Sequence, residues 1–285
     1  MGSIPRLDKK TFEMKLISFS LYGTEKIYSC GAIENARLAR EIYPGWTVVF
    51  FVGKSVPEQI LTKLTELGCE IFLVDEHESP LAMFWRFRAA QIPGVSQIIF
   101  RDSDSRVSQR EKIAVDEWSE SGKALHIIRD HPSHGIPILG GMWGIQGLEA
   151  IARLSDALAN GAGAFTDAYG ADQVFLERTI YPLLLDDSFV HDSFYKFEKF
   201  SQGLPPRTHG EFIGERIDCA GLPEFSARSQ LQVVESSWIR MRLIRLVARI
   251  RRVKNFVPEL KSFSGHFALD PIQKRPDTPE PPKRN

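Results

Sequence analysis

Cysteine is almost absent from this chain: Cys30, Cys69 and Cys219 are scattered over 285 residues. An odd number at wide spacing matches neither a disulfide framework nor a zinc ligand set, so free thiols and a reducing compartment are expected. Net charge is missing as well. Thirty-six lysines and arginines balance 36 aspartates and glutamates, and no global field favours nucleic acid. No apolar run is long enough to span a bilayer. No secretory signal is visible either, because the apolar stretch 16–21 is short and follows Glu13 and Lys15. A cytoplasmic protein is therefore expected. A dinucleotide fingerprint is also lacking: Ser18-Phe19-Ser20-Leu21-Tyr22-Gly23 stands where G-x-G-x-x-G would follow a first strand. That disfavours a nicotinamide dehydrogenase.

What the chain does have is alternation. Residues 16–21, 46–52, 70–74 and 98–100 read as apolar strands, and 28–43 and the stretch after Val56-Pro57 read as helices ended by Pro44-Gly45 and Gly68. Strand–helix alternation with short Gly/Pro punctuation predicts a parallel sheet built from β-α-β units. Further helices are expected at 83–91, 110–121, 149–159 and 172–181, and a strand at 124–128. Loops are expected at 129–137 and 160–164, and residues 186–230, with weak periodicity and many turn residues, are expected to wrap the sheet. The expected architecture is α/β: a lead-in over 1–13, one domain over 14–230 with a mostly parallel central sheet and helices on both faces, a basic amphipathic helix within 231–257, and a Pro-rich disordered tail over 258–285.

The chemistry concentrates where the apolar run Ile98-Ile99-Phe100 breaks into Arg101-Asp102-Ser103-Asp104. In open α/β sheets, ligands bind at the carboxyl ends of strands. Mg²⁺ and Mn²⁺ take oxygen ligands and share their sites with substrate phosphates, so a strand delivering Asp-x-Asp is a candidate clamp for a cation and a diphosphate. The plainer reading is a polar turn. Arg86, between Trp85 and Phe87, and Arg101 and Arg106 beside the aspartates are candidates to pair with phosphate or with the aspartates themselves. Gly140-Gly141 permits close backbone approach to a ligand. Asp172, at the start of a helix, is either an N-cap or a carboxylate facing the site. His191 is a candidate to complete a metal site, with His209 as its alternative.

In that order these stretches resemble the bacterial nucleotide-sugar-dependent glycosyltransferases of the GT-A type, and within them a capsule-associated group. The resemblance rests on Met83-Phe84-Trp85-Arg86-Phe87, residues 101–106, Arg110-Glu111, residues 114–118 and 126–144, Gly170-Ala171-Asp172-Gln173 and Phe212-Ile213-Gly214-Glu215. It implies a GT-A-like fold in which Asp104 and Asp102 coordinate Mn²⁺ or Mg²⁺ against a nucleoside diphosphate, usually UDP. Ser20 and Tyr22 at the end of the first strand would hold base and ribose. Arg86, Arg101, Asp102, Ser103, Gly140, Gly141 and Gln173 would line the nucleotide-sugar site, with Asp172 contacting sugar or acceptor and serving as general base if transfer inverts. One departure is plain: no Lys-Pro-Trp follows the Gly-rich segment at 209–214, which leaves the third metal ligand open between His191 and His209.

Three rivals use the same residues. A phosphatase of haloacid-dehalogenase type would place its Asp-x-Asp on the first strand, whereas three strands precede it here. A nucleotidyltransferase would want a Gly-rich basic loop after the first strand, which is absent. A non-catalytic relative would keep the fold without turnover. Near the end, Ile239, Leu243, Leu246, Ile250 and Val253 form one apolar stripe beside Arg242, Arg245, Arg249 and Arg252. It is expected either to pack on the domain or to lie on an anionic membrane surface, in the latter case at the inner face.

Overall fold

The computed structural model describes residues 14–161 and 167–256. The lead-in over 1–13, most of the 160–164 loop and the Pro-rich tail lie outside them. Seven strands form one sheet in the order β3-β2-β1-β4-β6-β5-β7. They are β1 (Met14–Leu21), β2 (Thr47–Val52), β3 (Glu70–Leu73), β4 (Val95–Arg101), β5 (Leu125–Arg129), β6 (Met142–Gln146) and β7 (Ser188–Asp192). All neighbours run parallel except at β6, which is antiparallel to β4 and to β5. The mostly parallel sheet expected from the alternation is present.

Two apolar layers cover the sheet, and the period of two along each strand decides which residue joins which. Ile17 and Phe19 of β1 face α1 (Lys26–Ile42), α2 (Glu58–Glu66) and α3 (Gln109–Ser121), packing with Phe50, Val115 and Trp118. Leu16 of β1 and Ile98 and Phe100 of β4 face the other way, onto Phe87, Trp143 and Phe175. That second layer is built from a 3₁₀ helix (Pro80–Gln91), α4 (Leu148–Gly161) and α5 (Ala171–Phe175).

The segment expected as an α-helix over 83–91 is 3₁₀ throughout. Two hydroxyls of β1 claim the middle of it: Arg86 N–H donates to Ser20 Oγ at 2.9 Å, and Ser18 Oγ donates to the Arg86 carbonyl at 2.7 Å. Strand contacts thus replace helical ladder bonds at Arg86. The helix expected over 172–181 is divided: α5 runs into a π-helical turn (Leu176–Ile180), then α6 (Tyr181–Leu184). The basic helix is α8 (Trp238–Phe256), preceded by α7 (Phe225–Glu235).

Residues 193–223, poor in periodic apolar positions, are held by buried charge pairs. Asp130, at the end of β5, accepts from Arg110 Nη2 at 3.0 Å, Arg207 Nη2 at 2.6 Å, Ser193 Oγ at 2.8 Å and the Ile213 amide at 2.9 Å. Arg129 beside it pairs with Asp192 at 2.8 Å and with Glu198. Buried charges survive only when paired, so this network fixes the wrap in one arrangement.

Cys30 of α1 and Cys219 of the wrap form a disulfide, joining positions 189 residues apart. The expectation of free thiols is corrected for this pair, and the reducing compartment drawn from it loses its basis. Spacing along the chain gave no sign of the pair, because the fold alone brings α1 beside the wrap. Cys69 is free and buried.

His134 is buried, and its Nδ1 accepts the Asp130 amide at 3.1 Å, so the proton sits on Nε2. Burial, helped by the charges of His131, Arg129 and Arg207, pushes it down to about 3. A histidine held neutral in the fold contributes stability above its unfolded value near 6.5, and loses it as pH falls toward its folded value. Stability is expected to drop by about 2 kcal/mol per such histidine between pH 6.5 and 5. His134→Asn, which keeps the acceptor, is expected to flatten that slope in urea titrations across this pH range.

Candidate active site

The strand order places the site. The chain runs outward through β1, β2 and β3, then crosses back to lay β4 on the other side of β1. The crevice between the carboxyl ends of β1 and β4 is a topological switch point, where open α/β sheets bind ligands. Tyr22 leaves one lip and Asp102 the other.

Arg86 is the hub. Its guanidinium is buried, with Nη2 donating to Asp172 Oδ2 at 2.7 Å and Nη1 to Asp102 Oδ1. The two carboxylates differ sharply in exposure: the Asp102 side chain is 48% exposed and that of Asp172 1%. Asp172 does not cap its helix. Gly170, at φ 83°, takes the N-cap position, and the Asp172 side chain turns inward instead. Burial pushes its carboxyl up and the Arg86 charge draws it back down. Its Oδ1 is buried without a hydrogen-bond partner. Gln173 follows on the same turn, half-buried.

Gly140 and Gly141 close over this cluster. A Cβ on Gly140 would lie 2.1 Å from Asp172 Oδ2, and one on Gly141 2.0 Å from Asp102 Oδ2. The glycines bring backbone against the carboxylates, where no side chain fits.

Asp104 lies in the turn beyond β4. Its carbonyl accepts the Ile217 amide at 2.9 Å, and its carboxylate lies 3.5 Å from Arg216 Nε. Burial, and after it the charge of Asp102, pushes the Asp104 carboxyl up to about 6. The turn is laid on α1. Asn35 Nδ2 donates to the Ser105 carbonyl at 2.8 Å, and Asn35 Oδ1 accepts the Val107 amide at 2.9 Å. Gly31 approaches so closely that a Cβ there would lie 1.9 Å from the Ser103 carbonyl oxygen. Ser103 therefore serves the turn through its backbone, and its side chain is buried. Arg106 is also a turn clamp, donating to the carbonyls of Ser103, Ser105, Ile217 and Asp218.

Ser20 and Tyr22 share the Arg86 face of β1. The Ser20 hydroxyl is already committed, accepting from Arg86 N and donating to the Met83 carbonyl at 3.3 Å. It positions the 3₁₀ helix and has no hydrogen left for a ribose. Burial pushes the Tyr22 phenol up to about 12, so it stays a protonated donor at neutral pH, its ring edge-on to Trp85 at 5.6 Å.

Two expected residues lie elsewhere. Arg101 alternates with Asp102 and points to the opposite layer, donating to Glu111 at 2.7 Å and to the Trp143 carbonyl at 2.9 Å. It serves the packing of α3, not the crevice. His191 is on β7, and β6 and β5 stand between that strand and β4; three strand spacings amount to about 14 Å. Both its ring nitrogens are engaged, Nε2 with Glu117 at 2.8 Å and Nδ1 with His126 at 2.9 Å. His191 is therefore corrected from metal ligand to buried packing residue. Among the described residues, no three His, Cys, Asp or Glu side chains converge as a metal cage. Sequence reading missed Ser18, Gly31, Asn35 and Arg216. Only Asn35, a polar residue on the buried stripe of α1, carried a readable signal.

No family model matches the sequence, and no curated protein matches it. Among solved structures, the chain overlaps a glycosyltransferase involved in glycosylation of the major capsid of PBCV-1 at TM-score 0.41 and 16% identity, over 64% of this chain and 82% of that one. It overlaps residues 1–349 of S. aureus TarS at TM-score 0.40 and 16% identity, over 57% and 54% of the two chains. It overlaps 4-diphosphocytidyl-2C-methyl-D-erythritol synthase of Anaerococcus prevotii at TM-score 0.42 and 9% identity, over 64% and 87%. Overlap at this level says nothing about chemistry, which rests on the side chains described above.

Three substitutions test the assembly. Gly→Ala inside a helix ordinarily stabilises by about 0.5–1 kcal/mol; Gly31→Ala is expected to destabilise instead, because backbone oxygen blocks the methyl group. Arg86→Gln, which strands a buried carboxylate, is expected to cost about 3–5 kcal/mol in chemical denaturation. Adding Asp172→Asn to Arg86→Gln is expected to recover more than half of that loss.

Proposed function

We propose that this chain is a divalent-cation-dependent glycosyltransferase of the GT-A type, taking its sugar from a nucleoside diphosphate donor, most simply a UDP-sugar. One observation carries the reading. Asp102 and Asp104 stand at the β1/β4 switch point, with Asp102 fixed by Arg86 and its Oδ2 against Gly141. Two carboxylates without a third protein ligand suit Mg²⁺ or Mn²⁺, which complete their shells with water and substrate phosphates. The donor set fits a second way, since burial and after it the charge of Asp102 raise the Asp104 carboxyl, and three carboxylates, Asp102, Asp104 and Asp172, face two guanidiniums, Arg86 and Arg216. When bound, the cation would act as a Lewis acid for the charge that grows on the departing diphosphate.

The chain's own groups supply the rest. Arg86 keeps Asp102 in one rotamer, so the ligand oxygen is preorganised before substrate arrives. Arg216 is half exposed and only 3.5 Å from Asp104. It is the cationic side chain free to meet the diphosphate once a metal neutralises that carboxylate. The Tyr22 phenol faces the same crevice as a donor, at the place proposed for base and ribose. Gly140 and Gly141 let the backbone close on the Asp172 and Asp102 carboxylates, which sets the wall against which the sugar would lie. Asp172 is assigned to holding Arg86: a carboxylate with 1% exposure and an ion pair at 2.7 Å is badly placed to take a proton from an acceptor.

The acceptor is a glycan, lipid or small molecule. The test is thermal stabilisation by a panel of nucleotide sugars with and without Mn²⁺. A donor at 100 times its dissociation constant adds about 2.7 kcal/mol, an upward shift of several degrees. Asp102→Asn and Asp104→Asn are each expected to weaken Mn²⁺-dependent donor binding by about 100-fold, while the fold stays intact by circular dichroism. Unchanged binding in both variants overturns the reading, and a trapped phosphoaspartate would replace it with phosphatase chemistry.

A further inference from the structure

α8 has two apolar faces, and the domain uses only one. Met241, Ile244 and Ala248, spaced three and four apart, turn inward onto Phe194, Tyr195, Phe212, Leu231 and Val234. Arg245 joins that face, donating from Nε to the Phe194 carbonyl at 2.7 Å. The stripe visible in the sequence is the other one. Ile239, Leu243, Leu246 and Ile250 are 54%, 53%, 54% and 48% exposed, and Trp238 beside them is 67% exposed. Four large apolar side chains in one row along a helix, with an exposed indole beside them, are more than the scattered exposed residues of a soluble surface.

The charge around the stripe names its occupant. Residues 238–254 contain six arginines and one lysine and no aspartate or glutamate, in a chain whose net charge is zero. Arg242 and Arg249 flank the stripe on one side and Arg240 on the other, all exposed. Arg242 lies over the Trp238 ring at 5.3 Å. An indole with an arginine at its face and aliphatic side chains in line suits the boundary between headgroups and acyl chains. A second copy of the same helix fits worse, because it would set the exposed Arg240, Arg242 and Arg249 against like charges. No helix among the described residues is long and apolar enough to cross a membrane, so the contact is one of lying on the surface. We propose that the outer face of α8 binds the surface of a bilayer rich in anionic lipid, seating its arginines on headgroup phosphates and the Ile239–Ile250 row between acyl chains.

The experiment is cosedimentation of the full-length protein with vesicles of phosphatidylcholine alone or with 30 mol% phosphatidylglycerol. Partitioning is expected onto the anionic vesicles only and is expected to weaken steeply between about 0.1 and 0.5 M salt, as screening shortens to a few ångströms. Each arginine near a charged surface is worth about fivefold in partitioning, so Arg242→Gln with Arg249→Gln is expected to lower it roughly 25-fold. Leu243→Gln with Leu246→Gln is expected to abolish retention at high salt. All four positions are exposed, and the fold is checked by the melting temperature of each variant. Absence of binding to anionic vesicles overturns the proposal. So does binding that neither double variant weakens. Concentration-dependent dimerisation lost in Leu243→Gln/Leu246→Gln, without vesicle binding, assigns the face to a second copy instead. Donor binding by the candidate active site is measured in the same variants and is expected to be unchanged, which keeps this outcome separate from that of the glycosyltransferase reading.

Discussion

One guanidinium holding two carboxylates is the constraint on which the candidate site depends. Arg86 is buried, and a buried guanidinium is tolerated only with its charge answered. Asp172 answers it from inside and Asp102 from the rim. The backbone of Arg86 is pinned in turn by Ser18 and Ser20 on β1, so the side chain springs from a fixed point. Its consequence reaches the exposed edge: Asp102 is held through Oδ1, and its Oδ2 lies against Gly141. Counting Asp102, Asp104 and Asp172 against Arg86 and Arg216 leaves the cluster with one excess negative charge. On the proposed reading, a crevice of that sign at a strand terminus would attract a cation first, and the cation would then attract the phosphate.

The sheet positions this cluster because of where the chain reverses its order. Alternating strands and helices were legible in the Gly/Pro punctuation at Pro44-Gly45, Val56-Pro57 and Gly68. So was the strand that ends in Asp102. The crossing from β3 back to β4 was not legible, because nothing local in the residues 74–95 states which edge of β1 the next strand will take. Yet that crossing creates the crevice. Asp-x-Asp alone was a polar turn with chemical promise; beside β1 at a switch point it becomes the lip of a site.

The failures have a common physical source. Arg101 and His191 were chosen by residue type, while orientation is decided by parity along a strand and by strand order across the sheet. Arg101 is one residue from Asp102 and so faces the opposite layer, where it donates to Glu111, which also accepts from the Tyr43 hydroxyl. That much was available in the sequence, given that Phe100 and Asp102 must share a face. His191 needed the sheet order, which the sequence withholds. The Cys30–Cys219 disulfide and the Gly31–Ser103 approach are likewise contacts between remote segments. No periodicity records them.

The disulfide and the buried charge pairs act on the same segment. Residues 193–223 lack an amphipathic pattern of their own, and their buried apolar residues, Phe194, Tyr195, Phe212 and Ile213, come in two short groups with a polar stretch between them. Asp130 captures the segment with Arg207 and the Ile213 amide, and Arg129 with Asp192 and Glu198. Cys219 ties its far end to α1. Between those anchors the Ile217 amide bonds the Asp104 carbonyl, and Arg216 is set 3.5 Å from the Asp104 carboxylate. A polar, irregular stretch thereby delivers one side chain to the site with the definition of a helix or strand, and does so through pairs whose loss would leave charges buried and unanswered. The same logic marks the outer face of α8 as different in kind. Its inner face is satisfied by apolar contact and one arginine bond, while the outer stripe is answered by nothing in the described protein, which is the condition under which an external surface can supply the missing partner.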